Sequence, residues 1–518
     1  MATLIETTPA RRAVVLAGVM AAMFLAAMES TVVATAMPTV IASLGGIRIY
    51  SWTFSAFLLT STVSMPIWGR LADHLGRRPA YLTGLAVFLV GSALAGLSQS
   101  MGQLIAFRAL QGIGAGSLIT IGMTIVGDLY GMERRAKMQG YFSSVWGVAS
   151  LVGPLIGGVL TDRVSWRWVF YINIPVGLLA AAAIAAGLRD EVRIRARTAF
   201  DLVGMTVFVA AISSFLVGLL EAGGSEPWMR PVGVGLLALS GALLIAFVVI
   251  ERRAVEPVIP LGLFRNPIVR AAAVTGLLSG MAMFGAITYV PLYLQAVVGS
   301  TATQAGWVLM PFVLGWVVFS VLAARLVLRI GYRRVVLAGM GMLVLAFVLL
   351  SSWNGSLTRL SAARDITLAG IGMGLVFVPM LIAVQSAVPR SLLGSATSLT
   401  TFFRTIGGAV GVAVMGAAMT HRLERGLAEV VATAPAGLQE QLRFLASHPD
   451  LVVNPVTRGA LGGDLLEQMR PALAHAVGAV FVVGLVFAIM AMVSAFLVPG
   501  GQARDLAVRG EGVTPSSS

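Results

Sequence analysis

The chain has no cysteine, which excludes disulfides, thiolate metal sites and cysteine nucleophiles and leaves the redox compartment undetermined. Charge is also scarce, at 11% of residues against 58% hydrophobic ones, and the mean hydropathy is +0.91. No water-soluble core can hide that much apolar surface over 518 residues, so the solvent for this chain is a lipid bilayer. Histidine occurs four times. His421, His448, Asp450 and Asp464 fall in the one long polar stretch, residues 421–470, without the spacing of a metal site. No phosphate loop and no G-x-S-x-G elbow occurs either. ATP-driven transport by this chain alone is therefore excluded, and an integral-membrane enzyme has no catalytic cluster to work with. Neither a metal nor a cofactor is expected.

What the sequence has in quantity is apolar windows of about 20 residues. Fourteen are centred near Met23, Leu59, Phe88, Leu118, Ser150, Leu178, Ala211, Leu239, Met281, Val313, Leu345, Val376, Thr405 and Gly484. An even number puts both termini on one side. Arg11 and Arg12 before the first window, and "ATA" at 34–36, resemble a cleavable signal. The internal repeat described next argues against that, because it gives this window a partner that is plainly no signal. With the N-terminus inside, 23 of the 36 Lys and Arg residues fall on the cytoplasmic side and 11 outside, while Arg108 and Arg404 lie within spans. Both termini are thus expected in the cytoplasm. The net charge of +14 reflects this topology and contact with anionic lipid heads, with no nucleic-acid partner expected.

The sequence also repeats. "GRLADHLGRRP" (69–79) after the second span aligns with "ARLVLRIGYRR" (324–334) after the tenth, at an offset of 255 residues that pairs Arg70 with Arg325 and Gly76 with Gly331. "MPTVIASLGG" (37–46) matches "VPLYLQAVVG" (290–299), and "GIGAG" (112–116) matches "GIGMG" (370–374). Spans one to six and nine to fourteen are two copies, with two spans inserted between them. Parallel halves with a site at the midplane describe a rocking transporter better than a channel. The expected layout is an N-terminal six-helix bundle (1–190), two inserted helices with linkers (191–267), a C-terminal six-helix bundle (268–498) holding an external loop or small cap at 421–470, and a disordered tail (499–518).

Three motifs then carry a resemblance. The loop pattern G-x-L-A-D-(R/K)-x-G-R-(R/K) is met by Gly69, Leu71, Ala72, Asp73, Gly76, Arg77 and Arg78, with His74 in place of a fixed cation. The pattern L-x-x-x-R-x-x-Q-G-x-G is met by Leu104, Arg108, Gln111, Gly112 and Gly114. The fifth-span pattern G-x8-G-x3-G-P-x2-G-G is met by Gly140, Gly153, Pro154, Gly157 and Gly158, with Ala149 at its second glycine. "WRWVFYINIPVG" (166–177) and "FFRTIGGAVGVAV" (402–414) add to this. The chain resembles the major facilitator superfamily, and within it the fourteen-span drug:proton antiporters of the EmrB/QacA type. That resemblance implies an all-α integral membrane fold of 6 + 2 + 6 helices. It also implies proton-driven efflux of lipophilic compounds from the cytoplasmic membrane, with the proton gradient as energy source. The expected partners are a small lipophilic substrate, protons and membrane lipids, for a chain acting as a monomer. A dedicated exporter of one lipid, self-made antibiotic or metabolite shares the same fold and coupling.

Each motif has a functional reading and a plainer one. The resemblance implies that Gly69, Asp73, Gly76, Arg77 and Arg78, with Asp128 at the end of the fourth span, form a lock on the cytoplasmic side. Cations at a cytoplasmic helix end also satisfy topology and the helix dipole by themselves. The glycines of "GPLIGG" either let helices approach closely or, with Pro154, let the fifth span bend. Gly112, Gly114 and Gly116 favour packing. Gln111, Asn173, Tyr289, Tyr293, Gln295, Gln385 and Arg404 are polar within spans, and most of them are candidates for a substrate pocket; the plainer reading has each bonded to a neighbouring helix. The 24 methionines suit an adaptable pocket but are also ordinary filler in lipid. Arg404 needs a partner that the sequence does not supply.

The sharpest expectation concerns Glu29, in "FLAAMESTVVATAMP" (24–38), as the proton-coupling carboxylate with Arg108 as its partner. Nine residues separate Glu29 from Pro38, about 13 Å along a helix, and Arg108 lies just below the external start of a span running the other way. Desolvation favours the neutral acid while a nearby arginine favours the carboxylate, and that opposition makes a switch. The rival reading is an ion pair that only fixes helix packing. The family usually has aspartate here, so glutamate is a departure. As the only acid expected deep in any span, Glu29 points to monovalent cationic or neutral substrates.

Overall fold

The computed structural model describes residues 8–129, 132–188, 201–223, 230–254, 261–354, 357–388, 393–434, 438–447 and 463–498. Every regular element among them is helical. The chain separates into two compact units. The first runs up to Met205 and takes in Gly299–Trp307; the second holds Thr206–Val298, Val308–Ser447 and the final helix.

In the first unit, α1 (Pro9–Leu44), α2 (Trp52–Leu75), α3 (Arg77–Leu97), α4 (Met101–Leu129) and α5 (Met132–Arg163) are single helices. The sixth span breaks into α6 (Trp168–Tyr171) and α7 (Asn173–Gly187), where Pro175 has no N–H to continue the ladder. Here α4 lies between α2 and α3, and α1 packs on α5, α7 and α4. Small residues set these distances. A Cβ on Gly112 would meet the Phe57 carbonyl of α2 at 2.5 Å, and one on Gly114 would meet the Phe88 Cα of α3 at 2.6 Å. The motif glycines of α4 are therefore contact points between backbones, as packing without a lipid-driven force requires.

The second unit holds α8 (Leu202–Gly223, from Thr206 on), α9 (Arg230–Glu251), α10 (Pro267–Ala296), α11 (Ala302–Ile330, from Val308 on), α12 (Tyr332–Ser351), α13 (Arg359–Ser386), α14 (Leu393–Thr433), α15 (Gln439–Ser447) and α16 (Gly463–Phe496). Its packing repeats that of the first. α10 packs on α14 as α1 packs on α5, and α12 on α13 as α3 on α4. Gly374 of α13 has no room for a Cβ beside the Trp316 carbonyl of α11, 2.6 Å away, as α4 has none beside α2.

Helices stand at all fourteen expected positions, and among the described residues twelve spans are long and apolar enough to cross a membrane. α2 is not among them, because Thr53, Ser55, Ser61, Thr62 and Ser64 dilute its hydropathy. Those side chains are buried. Several hydroxyls fold back on their own helix, Thr62 donating to the Leu58 carbonyl at 2.7 Å and Ser61 to the same oxygen at 2.9 Å. In α8 the apolar stretch found among the described residues is the short Val203–Phe215.

The segment 421–470 is helical where described: α14 continues to Thr433, α15 follows, and α16 starts at Gly463. Leu423 and Leu427 are buried there with Leu442 and Leu445, so apolar spacing at helical period was hidden among charges. Helix-dipole preference does not account for two cations of the basic loop. Arg77 and Arg78 open α3 rather than close α2, at the positive end of the dipole. Topology remains as the plain account of those cations.

Candidate functional site

Six helices of the first unit, α1 to α4 with α6 and α7, bring one polar cluster together. α1 presents two neighbouring faces. Met28, Thr31, Val32 and Thr35 lie against α5, where Gly153 and Gly157 leave no space for a Cβ. Thr31 and Thr35 spend their hydroxyls on the Met28 and Val32 carbonyls, both at 3.0 Å. Glu29, between these residues in sequence, turns toward α4 and α7. Arg108 and Gln111, three apart, share one face of α4.

Glu29 and Arg108 are both fully buried, and Arg108 Nη1 lies 2.6 Å from Glu29 Oε1. The same nitrogen donates to Gln111 Oε1 at 2.7 Å, and Arg108 Nε donates to the Thr53 carbonyl at 3.3 Å. Asn173 Nδ2, at the break between α6 and α7, donates to Glu29 Oε2 at 3.0 Å and to Ser92 Oγ at 2.8 Å. Gln111 Nε2 donates to Ser92 Oγ at 3.1 Å, and Ser92 in turn donates to the Phe170 carbonyl at 2.9 Å. The guanidinium carbon sits 4.1 Å from the Phe57 ring centroid and 6.0 Å from that of Phe170. Two charges removed from water need this density of partners to persist. Arg108 Nη2 and Asn173 Oδ1 are nevertheless buried without a hydrogen-bond partner among the described residues. A cluster of this kind holds a carboxylate in one geometry and has donors and acceptors left over for another.

The expected pair is thus in contact, and the cluster is wider than the sequence suggested. Gln111 and Asn173, read as candidates to touch substrate, join the ion pair instead. Ser92, Thr53, Phe57 and Phe170 went unnoticed. Only Phe170, beside the proline-broken sixth span, carried a sequence signal.

Other candidates are placed elsewhere. Tyr289 is fully buried and donates to the Val412 carbonyl of α14 at 3.1 Å, which is helix packing. Tyr293 packs its ring 5.2 Å from Trp353 and 6.1 Å from Phe481. Gln295 is buried on α10. Gln385 is exposed and donates to Thr397 at 3.1 Å. Arg404 lines a cleft of the second unit with residues of α10, α13 and α14. Gly76 closes α2 at φ 96° and ψ 158°, and Gly69 lies on α2 with Thr120 of α4 at 3.6 Å from a built Cβ. Gly140 lies on α5, and the side chains of Asp73 and Asp128 lie outside the described residues. Pro154 sits within an uninterrupted α5, and Gly158 packs on Thr303, whose nitrogen would lie 2.7 Å from a Cβ.

Two further acids are buried on spanning helices, Asp365 of α13 and Glu251 at the end of α9. Asp365 on α13 is 3% exposed and accepts from Trp353 Nε1 at 3.0 Å, with Arg364 at 2.8 Å. Glu29 is therefore not the only acid buried on a spanning helix. Among the described residues no three His, Cys, Asp or Glu side chains gather as a metal site would require.

A profile of the Major Facilitator Superfamily matches residues 19–412. The chain belongs to the major facilitator superfamily. It is 35% identical to the multidrug transporter protein MdtP of Bacillus subtilis (strain 168), over 95% of this chain and 94% of that one. It is 31% identical to multidrug resistance protein 3 of the same strain, over 94% and 96%. Among solved structures, an inward-facing bacterial homologue of the human lysosomal transporter Spinster superposes with a TM-score of 0.64 at 17% identity, over 95% of this chain and 98% of that one. The chain shares the major facilitator fold with that structure, and its helices make it a multi-pass membrane transporter.

Proposed function

We propose that this chain is a proton-coupled exporter of lipophilic small molecules. It resides in the cytoplasmic membrane with both termini in the cytoplasm, and works as a monomer by alternating access through fourteen spans. The proton gradient supplies the energy without a bound cofactor. The observation that carries this reading is the buried Glu29–Arg108 pair at 2.6 Å, and the multidrug transporters among its relatives support the export role.

While Glu29 is charged, Arg108 and Asn173 hold its two oxygens and tie α1 to α4 and α7. Protonation removes the charge that Arg108 balances. The guanidinium then rests on Gln111, the Thr53 carbonyl and the two phenylalanine rings, and α1 is released to shift against its neighbours. A proton is thereby exchanged for a change of helix packing within the first unit. Cargo is expected to be monovalent cationic or neutral lipophiles, since Asp365 sits near the start of α13 and is held by Trp353 and Arg364.

The test is efflux of a neutral lipophilic dye in proteoliposomes under an imposed pH gradient, with and without ATP. Gradient-driven movement of dye is expected, and it should be lost in Glu29→Gln. Movement that required ATP and ignored the gradient would overturn the reading.

A further inference from the structure

The second unit holds a cleft with one charge in it. Its walls include Ser279 of α10, Met373, Val376, Phe377 and Met380 of α13, and Thr400 and Arg404 of α14. The wall hydroxyls are already used, Ser279 donating to the Gly276 carbonyl at 3.3 Å and Thr400 to the Thr397 carbonyl at 2.8 Å. Arg404 stacks on Phe377, its guanidinium carbon 4.1 Å from the ring centroid. It makes no hydrogen bond or ion pair with any described residue, and its Nε is buried without a partner. This contrasts with Arg108, which has the same aromatic stacking and a carboxylate besides.

The backbone beneath Arg404 is fixed. Gly280 of α10 has its missing Cβ where the Arg404 carbonyl stands, with the Arg404 Cα 3.2 Å from that position. One turn further on, Gly407 abuts Leu277 and Gly411 abuts Met281 in the same way. The glycines of "FFRTIGGAVG" thus press α14 onto α10 and hold the base of the arginine, leaving its planar donor fork directed among methionine, valine and phenylalanine side chains.

We propose that this cleft binds the anionic head of an amphiphile, a carboxylate-bearing lipophile being its simplest form. A guanidinium offers a carboxylate two parallel charge-assisted hydrogen bonds, and a low-dielectric wall strengthens them. The cleft has a volume of about 20 Å³, room for little more than a water-sized group, and the flexible thioethers of Met373 and Met380 let it widen for a bound head and the apolar body behind it. A cation would be repelled, and a neutral compound would gain from the wall alone. The physiological use of the site rests on the export reading, whereas the binding does not. Acidic lipophiles would be carried along with neutral ones, and an anionic phospholipid head offers the same chemistry.

The experiment uses the full chain, purified in neutral detergent, with dansyl-undecanoic acid and its primary amide as probes. Wild type is expected to bind the acid about tenfold or more tightly than the amide. Arg404→Gln, checked for folding by size exclusion and melting, should bring that ratio to about one, and Arg404→Lys, which keeps the charge but not the fork, should keep only part of it. Equal binding of acid and amide by wild type would overturn the proposal. So would an undiminished preference in folded Arg404→Gln, which would leave the arginine a packing residue held by Phe377. Adding phosphatidylglycerol or phosphatidylcholine separates the sources: displacement of the acid by the former alone makes a lipid head the occupant, and displacement by neither makes it a solute. Both results uphold the anion site. Failure here with gradient-driven efflux of a neutral dye intact would sink the anion site and leave the export reading standing.

Discussion

Gly76 and Gly331, aligned by the sequence repeat, share one backbone conformation: φ 96° with ψ 158°, and φ 81° with ψ 158°. Each is the single residue between two long helices, α2 and α3 in one unit and α11 and α12 in the other. This region of backbone space is essentially closed to residues with a Cβ, at a cost of about 1–3 kcal/mol. Gly76→Ala and Gly331→Ala should therefore each lower the melting temperature in detergent, by comparable amounts. An alanine variant that melted like wild type would show that its turn relaxes freely.

The Glu29–Arg108 pair permits a test that separates coupling from packing. Glu29→Gln and Arg108→Gln each strand a buried partner, and breaking a buried pair costs about 3–5 kcal/mol. The double variant removes both charges and should recover much of that stability. If the pair serves proton coupling, the double variant stays unable to drive efflux from a pH gradient. Recovery of gradient-driven efflux together with stability would reduce the pair to a structural tie.

For the fifth span, close approach and bending predict different orders of damage. Gly157→Val places side-chain atoms against Val32 and Thr35 of α1 and should destabilise the chain by about 1–3 kcal/mol, the usual cost of overpacking. Pro154→Ala, within an unbroken α5, should leave folding intact. The check is the yield of monodisperse protein after detergent extraction. The reverse order of damage would restore the bend as the reason for this motif.

Asp365 gives a fourth test. Its carboxylate is the acceptor for a buried indole N–H, so Asp365→Ala leaves that donor unsatisfied, at a cost of about 1–3 kcal/mol. A drop in melting temperature is expected, while Asp365→Asn, which keeps an acceptor oxygen, should drop less.

The meeting of Glu29 and Arg108 was legible because two antiparallel spans carry one charge each at similar height. Which polar residues of a span face that pair was not legible. Gln111 follows Arg108 by one helical turn, but Asn173 and Ser92 reach it only through the break at Pro175 and the approach of Gly91 to the Gln111 backbone, 2.6 Å from its nitrogen to a built Cβ. Asp365 was hidden for another reason. It lies six residues after Arg359 and beside Arg364, and a carboxylate among cations near a span end reads as interfacial. Its burial depends on Trp353, which arrives from beyond the end of α12. The fold itself was the easier part, since apolar windows and the repeat are properties of the chain alone.

The length of α14 has a practical meaning. Its 41 unbroken residues make a rod of about 60 Å, roughly twice the hydrocarbon thickness of a bilayer. No reasonable tilt hides that length, so several turns stand in water. Around them Leu423 and Leu427 join Leu442 and Leu445 of α15 in a small apolar seam, and Gly426 admits Ala472 of α16 at 3.2 Å from a built Cβ. Such a stiff, water-facing projection is an epitope. An antibody fragment raised against it would grip the molecule without entering the membrane, and would serve as a fiducial for imaging the chain in lipid.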